Sequence, residues 1–424
     1  MPAANSSLGS GSHQLGGSWN WTAPADRWRV AAASWVDRRL LALLMSRLSR
    51  VPVRVVLWDG TSAGPEEPQY AVHIGTRRAL VGLMVDPDMA FGDYYAAGAI
   101  DVQGDLAGLM EEIYTGFPHA TTRPGDWRRL GQWANTESRA RQQIHHHYDI
   151  GNAFYRLWLD ERMQYTCAYF PTPEVSLEDA QIAKMDHVCR KLDLQPGEHV
   201  VEAGCGWGEL ALHMASRYGV FVRAYNISRE QVAWANAAAQ ARGLTDRVRF
   251  FEEDFRAIDG RADAFVSVGM LEHLGAAQYE ALGRVIDRTL HPGHGRGLLH
   301  FIGRNQRMPL HPWIERRIFP GAYVPTLAEV FTAVLEPTDL AVADVENLRL
   351  HYARTLEHWR DRFEASFDRA VEMYDRAFAR AWRVYLAGSI AGFKTGSMQL
   401  FQVVFARNGH NGLPWTRAVL YRQS

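Results

Sequence analysis

Few residues in this chain could form disulfides or bind a metal through sulfur. The 424 residues contain three cysteines, Cys167, Cys189 and Cys205, and their spacing matches no zinc-binding pattern. An odd, sparse set of cysteines is typical of a protein in a reducing compartment. The first residues also lack the basic-then-apolar pattern of a secretory leader. We therefore expect a cytoplasmic protein with no disulfide framework and no metal site.

The chain also lacks an excess of charge and any long apolar run. Its 46 Lys and Arg residues nearly balance its 47 Asp and Glu residues, which gives a net charge of −1. This balance provides no general electrostatic attraction to nucleic acid. A membrane-spanning helix needs roughly 20 consecutive apolar residues, and no run approaches that length. The sequence therefore predicts no nucleic-acid partner, and contact with a membrane at its surface only.

Composition divides the chain into four parts. Residues 1–20 are rich in Gly and Ser and are predicted to form a disordered tail. Residues 21–120 predict a small α+β domain, with an amphipathic helix over 35–48 and a strand at 79–85 among its elements. Residues 121–140 contain Pro and Gly and predict a linker. The remainder, residues 141–424, is predicted to be a second and larger domain.

One Gly-rich turn carries the strongest functional signal. A short apolar strand ends at Val201, and the turn that follows contains Gly204, Gly206 and Gly208 before a helical pattern begins. Gly lacks a Cβ atom, so such a turn lets the backbone approach a bulky ligand closely. The G-x-G-x-G spacing differs from the dinucleotide fingerprint, and no Gly-Lys-Ser/Thr of a phosphate-binding loop follows. S-adenosylmethionine is the remaining common ligand of such a turn.

Strands and helices alternate after this turn. The rhythm predicts five parallel strands with right-handed crossovers, followed by an antiparallel pair at 340–345 and 399–406. The fold class is therefore predicted as α/β, with a doubly wound, seven-stranded, Rossmann-like sheet beside the small α+β domain.

Several polar residues follow predicted strands directly. Ligands bind outside the carboxyl ends of parallel strands, so we expect Asn226, Asp254, Glu272 and His300 to lie near one site. A carboxylate such as that of Asp254 could accept a hydrogen bond from an adenine amino group. Gln231 also fits a helix capping box with Ser228, which gives it a structural role with or without a ligand.

Three further features have competing interpretations. The adjacent residues His145, His146 and His147 cannot share one face of a regular element, so they do not predict a metal site. Cys167 is a candidate nucleophile, but a weak hydrogen-bonding role suits it better. Aromatic residues recur at spacings of three and four over 352–385. That pattern is typical of a helical core, and an apolar substrate tunnel is the alternative.

These segments, taken in order, identify a family resemblance. The chain resembles the cyclopropane-fatty-acyl-phospholipid synthases and is similar to the mycolic acid cyclopropane synthases. The resemblance covers nearly all of residues 141–407, and residues 21–120 resemble the family's lipid-carrier-like amino-terminal domain more weakly. The matching pieces are HHYDIGNAFYRLWLD, MQYTCAYF, VVEAGCGWGELA, NISREQ, VGMLEHLG, LLHFIG, RIFPGAYVP, HYARTLEHWRDRF and MQLFQVVFAR.

The resemblance implies a fold and a reaction. The fold would be a class I methyltransferase domain with a helical insertion on the lipid side. The reaction would be transfer of the methyl group of S-adenosylmethionine to the cis double bond of an unsaturated acyl chain in a membrane phospholipid. Loss of a proton to a bound bicarbonate ion would then close a cyclopropane ring. Peripheral association with the inner face of the membrane and a homodimer are further implications.

The resemblance also assigns roles to individual residues. Those implied to bind the cofactor are Tyr165, Thr166, Gly204, Gly206, Gly208, Asn226, Gln231, Glu253 and Asp254. Those implied to bind the bicarbonate ion are Cys167, Glu272, His300, Ile302 through its backbone, and Tyr352.

The chemistry of an alkene explains why such a set is needed. Methylation of an alkene leaves a carbocation, which aromatic faces can stabilise and which a base must deprotonate. Glu272 and a held anion are both candidates for that base. Alternative products on the same scaffold are methyl-branched, methylene or oxygenated acyl chains. A methyltransferase for a soluble small molecule and a lipid carrier with an inactive catalytic half are the competing functions.

Overall fold

The computed structural model describes residues 32–117 and 150–421. The predicted tail at 1–20, the predicted linker at 121–140 and the three adjacent histidines lie outside these ranges. Within the described residues, two β-sheets with their own helices are connected by packed helical surfaces.

The first sheet has four strands. Its order is β2-β1-β3-β4, in which β1 pairs in parallel with β3 and the other pairs are antiparallel. Alternate residues of β1 and β3 are buried, as expected for a sheet with one face against a core. The strands are β1 (Val53–Leu57), β2 (Ser62–Ala63), β3 (Tyr70–Ile74) and β4 (Ile100–Gln103), and the helices are α1 (Trp35–Arg47), α2 (Arg77–Val85), α3 (Pro87–Ala96) and α4 (Leu106–Gly116).

The predicted strand at 79–85 is wrong, because this segment is helix α2. The side chain of Thr76 accepts a hydrogen bond from the backbone N–H of Ala79 at 3.1 Å and so caps the helix. Ala79, Leu80 and Leu83 are buried, which is a helical spacing, not an alternation. A short apolar run of this kind is compatible with either element, and the cap decides between them.

Helix α1 lies where the sequence predicts it. Val36, Leu40, Leu44 and Leu48 fall four apart and predict one apolar face, but the buried residues of the helix are Asp37, Leu41 and Leu44. Val36 is 52% exposed, whereas Asp37 is 1% exposed. The Asp37 carboxylate accepts hydrogen bonds from the Ser34 hydroxyl and from Nε of Arg77, each at 2.7 Å. These partners compensate the burial of the charge, and they rotate the helix away from its apolar stripe.

The second sheet confirms the predicted doubly wound α/β architecture. Its order is β10-β11-β9-β8-β5-β6-β7, with β11 antiparallel to both neighbours and the other pairs from β9 to β7 parallel. The strand order reverses at β5, which is where ligands bind in such sheets. The strands are β5 (His199–Ala203), β6 (Phe221–Asn226), β7 (Val248–Glu252), β8 (Ala264–Val268), β9 (Arg296–Gly303), β10 (Leu340–Asn347) and β11 (Gln399–Arg407).

Helices cover both faces of this sheet. The aromatic pattern at 352–385 lies on α13, α14 and α15, and most of its side chains are buried. The helices are α5 (Asn152–Tyr155), α6 (Leu177–Lys191), α7 (Glu209–Tyr218), α8 (Arg229–Ala241), α9 (Leu271–Leu274), α10 (Tyr279–Thr289), α11 (Pro312–Arg317), α12 (Leu327–Val330), α13 (Arg349–Ala365), α14 (Phe367–Met373) and α15 (Arg376–Thr395).

Contacts between helices join the two sheets into one body. Helix α15 packs on α4 and on α3. Asp93 of α3 accepts a hydrogen bond from Nε1 of Trp313 at 3.0 Å and from Nη2 of Arg317 at 2.8 Å, both on α11. The first sheet is thereby held against the helices that cover the second.

Candidate active site

A single cavity of about 1090 Å³ extends between the two sheets. Its wall includes Val53, Val55 and Val72 of the first sheet and His300 and Ile302 of the second. Helices α1, α4 and α15 complete the wall, mainly with apolar side chains. A cavity of this size with few polar groups is typical of a site for an apolar small molecule.

The Gly-rich turn follows β5 and begins helix α7. Gly204, Gly206 and Gly208 have φ values of +79°, +52° and +85°, a region that residues with a Cβ rarely adopt. A Cβ on Gly204 would lie 2.8 Å from Cβ of Met270, and one on Gly208 would lie 2.7 Å from Cβ of Ala235. A Cβ on Gly206 would meet nothing within 4 Å. Gly206 is therefore the glycine that faces open space.

Asn226 and Gln231 form a hydrogen-bonded pair beside this turn. Nδ2 of Asn226 donates to Oε1 of Gln231 at 2.8 Å and to the backbone oxygen of Gly206 at 3.1 Å. Ser228 caps helix α8 by accepting from the backbone N–H of Gln231 at 3.4 Å. The side chain of Gln231 thus bonds to Asn226. The pair is bonded to the Gly turn, and its contact with the cofactor stays a prediction.

The two acidic residues after β7 differ in their surroundings. Glu253 is exposed. Asp254 is buried, and its carboxylate accepts hydrogen bonds from Nε and Nη2 of Arg256 at 2.6 and 2.8 Å. It also accepts from the backbone N–H of Arg256 and so caps the 3₁₀ turn Phe255–Ala257. Asp254 therefore has a structural role in addition to the predicted contact with adenine.

Tyr165 and Thr166 line the cavity on the side of the Gly turn. The Tyr165 hydroxyl lies 2.8 Å from the hydroxyl of Tyr385, and its ring packs among the rings of Trp158 and Trp359. Burial raises the pKa of Tyr165 well above its usual value, so the phenol stays neutral. The aromatic residues on α13 and α15 thus contribute both to the core and to the cavity wall.

Lys184 is a buried cation near the site that sequence analysis did not single out. Its ammonium donates to Oγ1 of Thr166 at 2.9 Å and to Oε1 of Gln164. Burial lowers its pKa to about 8. The residue holds Thr166 in place and contributes positive charge beneath the cavity. The one signal for Lys184 in the sequence is that lysine is rare, since the chain has three lysines among its 46 Lys and Arg residues.

Glu272 presents a carboxylate to the cavity. Helix α9 begins directly after β8 and places Glu272 on the wall. Its Oε1 accepts a hydrogen bond from the backbone N–H of Ile302 at 2.5 Å, whereas its Oε2 is buried and has no hydrogen-bond partner among the described residues. Burial raises the pKa of Glu272 to about 7. The group can therefore gain or lose a proton near neutral pH.

His300 lies on β9 and faces the same cavity. Nε2 of Gln402, which is opposite His300 on β11, lies 3.0 Å from Nδ1 of His300. An amide N–H donates, so Nδ1 accepts and the ring proton is on Nε2. Nε2 is buried without a partner among the described residues, and burial lowers the pKa of His300 well below its usual value. The neutral ring therefore has an unused N–H donor.

The remaining predicted residues complete the wall. Tyr352 and Cys167 both line the cavity. The Tyr352 ring packs 4.5 Å from the ring of Phe393, centroid to centroid. Sγ of Cys167 lies 3.1 Å from the backbone oxygen of Ala168, and burial raises the pKa of its thiol. A buried, neutral thiol is a poor nucleophile. The structure thus brings Cys167, Glu272, His300, Ile302 and Tyr352 together on one cavity.

The fold and this cavity define a class I S-adenosylmethionine-dependent methyltransferase. A sequence profile of the mycolic acid cyclopropane synthetase family matches residues 135–403, and a profile of a domain of unknown function matches residues 40–119. The chain belongs to the mycolic acid cyclopropane synthetase family, which modifies lipids.

Individual relatives agree with this assignment. A probable fatty acid methyltransferase of Pseudomonas putida is 36% identical over 88% of this chain and 97% of the relative. The cyclopropane-fatty-acyl-phospholipid synthase of Escherichia coli is 37% identical over 66% of this chain and 72% of the relative. The structure of the mycolic acid cyclopropane synthase CmaA1, complexed with S-adenosylhomocysteine (SAH) and CTAB, superimposes with a TM-score of 0.60 at 28% identity. That match covers 63% of this chain and 98% of CmaA1.

Gly206→Ala should weaken binding of SAH about tenfold, which is a loss of about 1.4 kcal/mol. The added methyl group would enter the open space in front of the turn. Isothermal titration calorimetry measures the effect. Gly243→Ala is the matched control, because Gly243 also has a positive φ, +65°, and no atom within 4 Å of an added Cβ. Equal SAH affinities of the two variants would contradict the assignment of Gly206 to the cofactor site.

Proposed function

We propose that this methyltransferase acts on the cis double bond of an unsaturated acyl chain in a membrane phospholipid and forms a cyclopropane with the aid of bicarbonate. The observation that carries the proposal is the unmatched pair of polar groups in an apolar cavity. Within residues 32–117 and 150–421, Nε2 of His300 is a donor without an acceptor, and Oε2 of Glu272 is an acceptor without a donor.

The chemistry of this pair fits bicarbonate. Bicarbonate has negatively charged oxygens that accept hydrogen bonds and one O–H that donates, so it can satisfy both His300 and Glu272. A buried polar atom without a partner costs roughly 1–3 kcal/mol, which favours a ligand with this dual character over a simple anion. When bound there, bicarbonate would supply a base close to the substrate.

The cavity wall suits the two other demands of the reaction. An alkene is a weak nucleophile, so the protein must hold the double bond in line with the methyl donor. This is a matter of positioning. Met270 connects the Gly-rich turn to the cavity wall, because it contacts Gly204 and lies two residues before Glu272. The rings of Tyr165 and Tyr352 can stabilise positive charge without reacting. The apolar wall excludes water, which would otherwise convert a cation to an alcohol.

The proposed activity can be tested by mass spectrometry of lipids. Purified enzyme with S-adenosylmethionine, bicarbonate and vesicles of a cis-monounsaturated phospholipid should add one CH₂ to the acyl chain and remove the double bond. Vesicles of the saturated lipid with equal chain length are the control and should gain nothing. A methyl-branched or methylene product would replace the cyclopropane proposal with one of the alternatives. Methylation of soluble compounds alone would contradict the lipid substrate.

Glu272→Gln should lower turnover at least about 100-fold, because it removes a group that accepts or orients the proton. The amide oxygen can still accept from Ile302, so SAH affinity should change little. Glu202→Gln is the matched control, because Glu202 is a buried carboxyl outside the cavity wall, and burial raises its pKa to about 8. A comparable loss of turnover in both variants would show that the effect arises from burial.

The pH dependence of turnover provides a second test of the role of Glu272. Its pKa is raised to about 7, so the carboxyl is protonated below that pH and ionised above it. The ionised carboxylate is the form that accepts a hydrogen bond from the bicarbonate O–H, and turnover of the wild type should therefore rise as pH increases through about 7. Glu272→Gln should lack this rise. An identical rise in the variant would assign the titration to another group.

Helix α1 supports an encounter with a lipid surface. Trp35 and Leu43 are 67% and 46% exposed, and the guanidinium of Arg39 lies over the Trp35 ring at 4.6 Å. Exposed apolar side chains among arginines are typical of helices that bind anionic membrane surfaces. Leu44 of the same helix and Leu48, which caps its C-terminus, line the cavity. No helix within residues 32–117 and 150–421 has both the length and the hydropathy to cross a bilayer.

Trp35→Ala should therefore reduce co-sedimentation with vesicles that contain anionic phospholipid, because it removes apolar area and an amphipathic ring from the proposed contact face. Trp415→Ala is the matched control, since Trp415 is 100% exposed but lies after β11 and outside α1. The control should bind like the wild type. Equal losses in both variants would contradict a membrane contact through α1.

A further inference from the structure

Arg304 is a buried cation at the end of β9. It is 6% exposed and lines the cavity. Its Nη1 donates to the backbone oxygens of Met308 and Pro309 at 3.2 and 2.7 Å, which fixes the orientation of the guanidinium. Its Nε is buried and has no hydrogen-bond partner within the described residues. The side chain is thus held rigidly with a donor left unused.

No carboxylate within residues 32–117 and 150–421 forms an ion pair with Arg304. Glu329, on the neighbouring helix α12, instead binds Arg307 at 3.0 Å and the hydroxyl of Tyr323 at 2.6 Å. Asp88, which also lines the cavity, lies 3.8 Å from His311. Burial lowers the pKa of Arg304 to about 10, so the guanidinium is still charged at neutral pH. A buried charge without a countercharge is costly.

The position of Arg304 relative to the catalytic pair is fixed by the strand. Side chains alternate along a strand, so His300, Ile302 and Arg304 share one face, and all three line the cavity. Residue 304 continues the extended backbone through a bridge to Thr326. Four residues of strand span about 13 Å. The cation therefore lies in the same cavity as His300, but well separated from it.

We propose that Arg304 binds the anionic oxygen group at the head of the acyl substrate and so sets the distance between that group and the reacting carbons. The inference rests on the proposed function, because it requires an acyl chain in the cavity. The ligand chemistry is an oxyanion joined to an apolar chain, which both the phosphate of a phospholipid and the carboxylate of a free fatty acid provide. A guanidinium with a free N–H matches either group.

The test removes the positive charge of Arg304 from the enzyme and the negative charge from the lipid, and compares the effects on methyl transfer. Wild type, Arg304→Met and Arg304→Lys are assayed for methyl transfer to vesicles of a cis-monounsaturated phosphatidylglycerol, to the matching free fatty acid and to the matching diacylglycerol. Diacylglycerol keeps the acyl chains but has no oxyanion. Arg316→Met is the control, because Arg316 is exposed on α11 and is not among the residues that line the cavity.

Arg304→Met should raise KM for the anionic substrate at least about tenfold and leave KM for diacylglycerol unchanged. Arg304→Lys should recover part of the loss, since it keeps the charge. A KM effect confined to phosphatidylglycerol identifies phosphate as the ligand, and one confined to the fatty acid identifies carboxylate. Arg316→Met should behave as wild type with each substrate.

Two outcomes overturn the inference. One is an equal KM change for all three lipids, which would mean that Arg304 shapes the cavity without binding an anion. The other is an unchanged KM for every lipid. A variant that unfolds is recognised by its circular dichroism and melting temperature, and Arg304→Lys then decides, because an unchanged KM in a folded Lys variant for both anionic lipids also contradicts a guanidinium contact. If the wild type methylates none of the lipids, the proposed function fails, which is a separate result.

Discussion

The account depends on the burial of polar groups that the described residues leave unmatched in a mainly apolar cavity. Glu272, His300 and Arg304 are each less than 10% exposed, and each has a nitrogen or oxygen atom without a hydrogen-bond partner in residues 32–117 and 150–421. Such groups are costly in a folded protein unless a ligand satisfies them. Their placement is the basis for the proposed reaction centre at one part of the cavity and the proposed anchoring cation at another.

The two sheets contribute different parts of this cavity. The second sheet supplies Glu272, which follows β8, and His300, which lies on β9. The Gly turn after β5 does not itself line the cavity but lies against Met270, two residues before Glu272. The first sheet and α4 supply apolar wall, including Val53, Val55 and Met110. The wall of the cavity is therefore shared between both halves of the chain. The shared wall explains why an amino-terminal region whose sequence has no pattern of catalytic residues accompanies the methyltransferase fold.

Much of the second sheet could be predicted from the sequence, because alternation of strands and helices and the glycine spacing are local signals. The expectation that ligands bind outside the carboxyl ends of parallel strands placed Glu272 and His300 near one site for the same reason. Contacts between distant segments could not be predicted in this way. Tyr165 and Tyr385 are 220 residues apart, and Arg304 reads as an ordinary residue after a strand. At 79–85 the local apolar pattern was ambiguous, and a single cap from Thr76 decided for a helix.

The central claim is that the donor at His300 and the acceptor at Glu272 hold one small anion in a water-excluding cavity. A high-resolution crystal structure of the protein grown with SAH and bicarbonate tests it most directly. The account predicts trigonal density within hydrogen-bond distance of both Nε2 of His300 and Oε2 of Glu272. Ordered water bridging the two groups at saturating bicarbonate, or side chains turned away from each other, would contradict it.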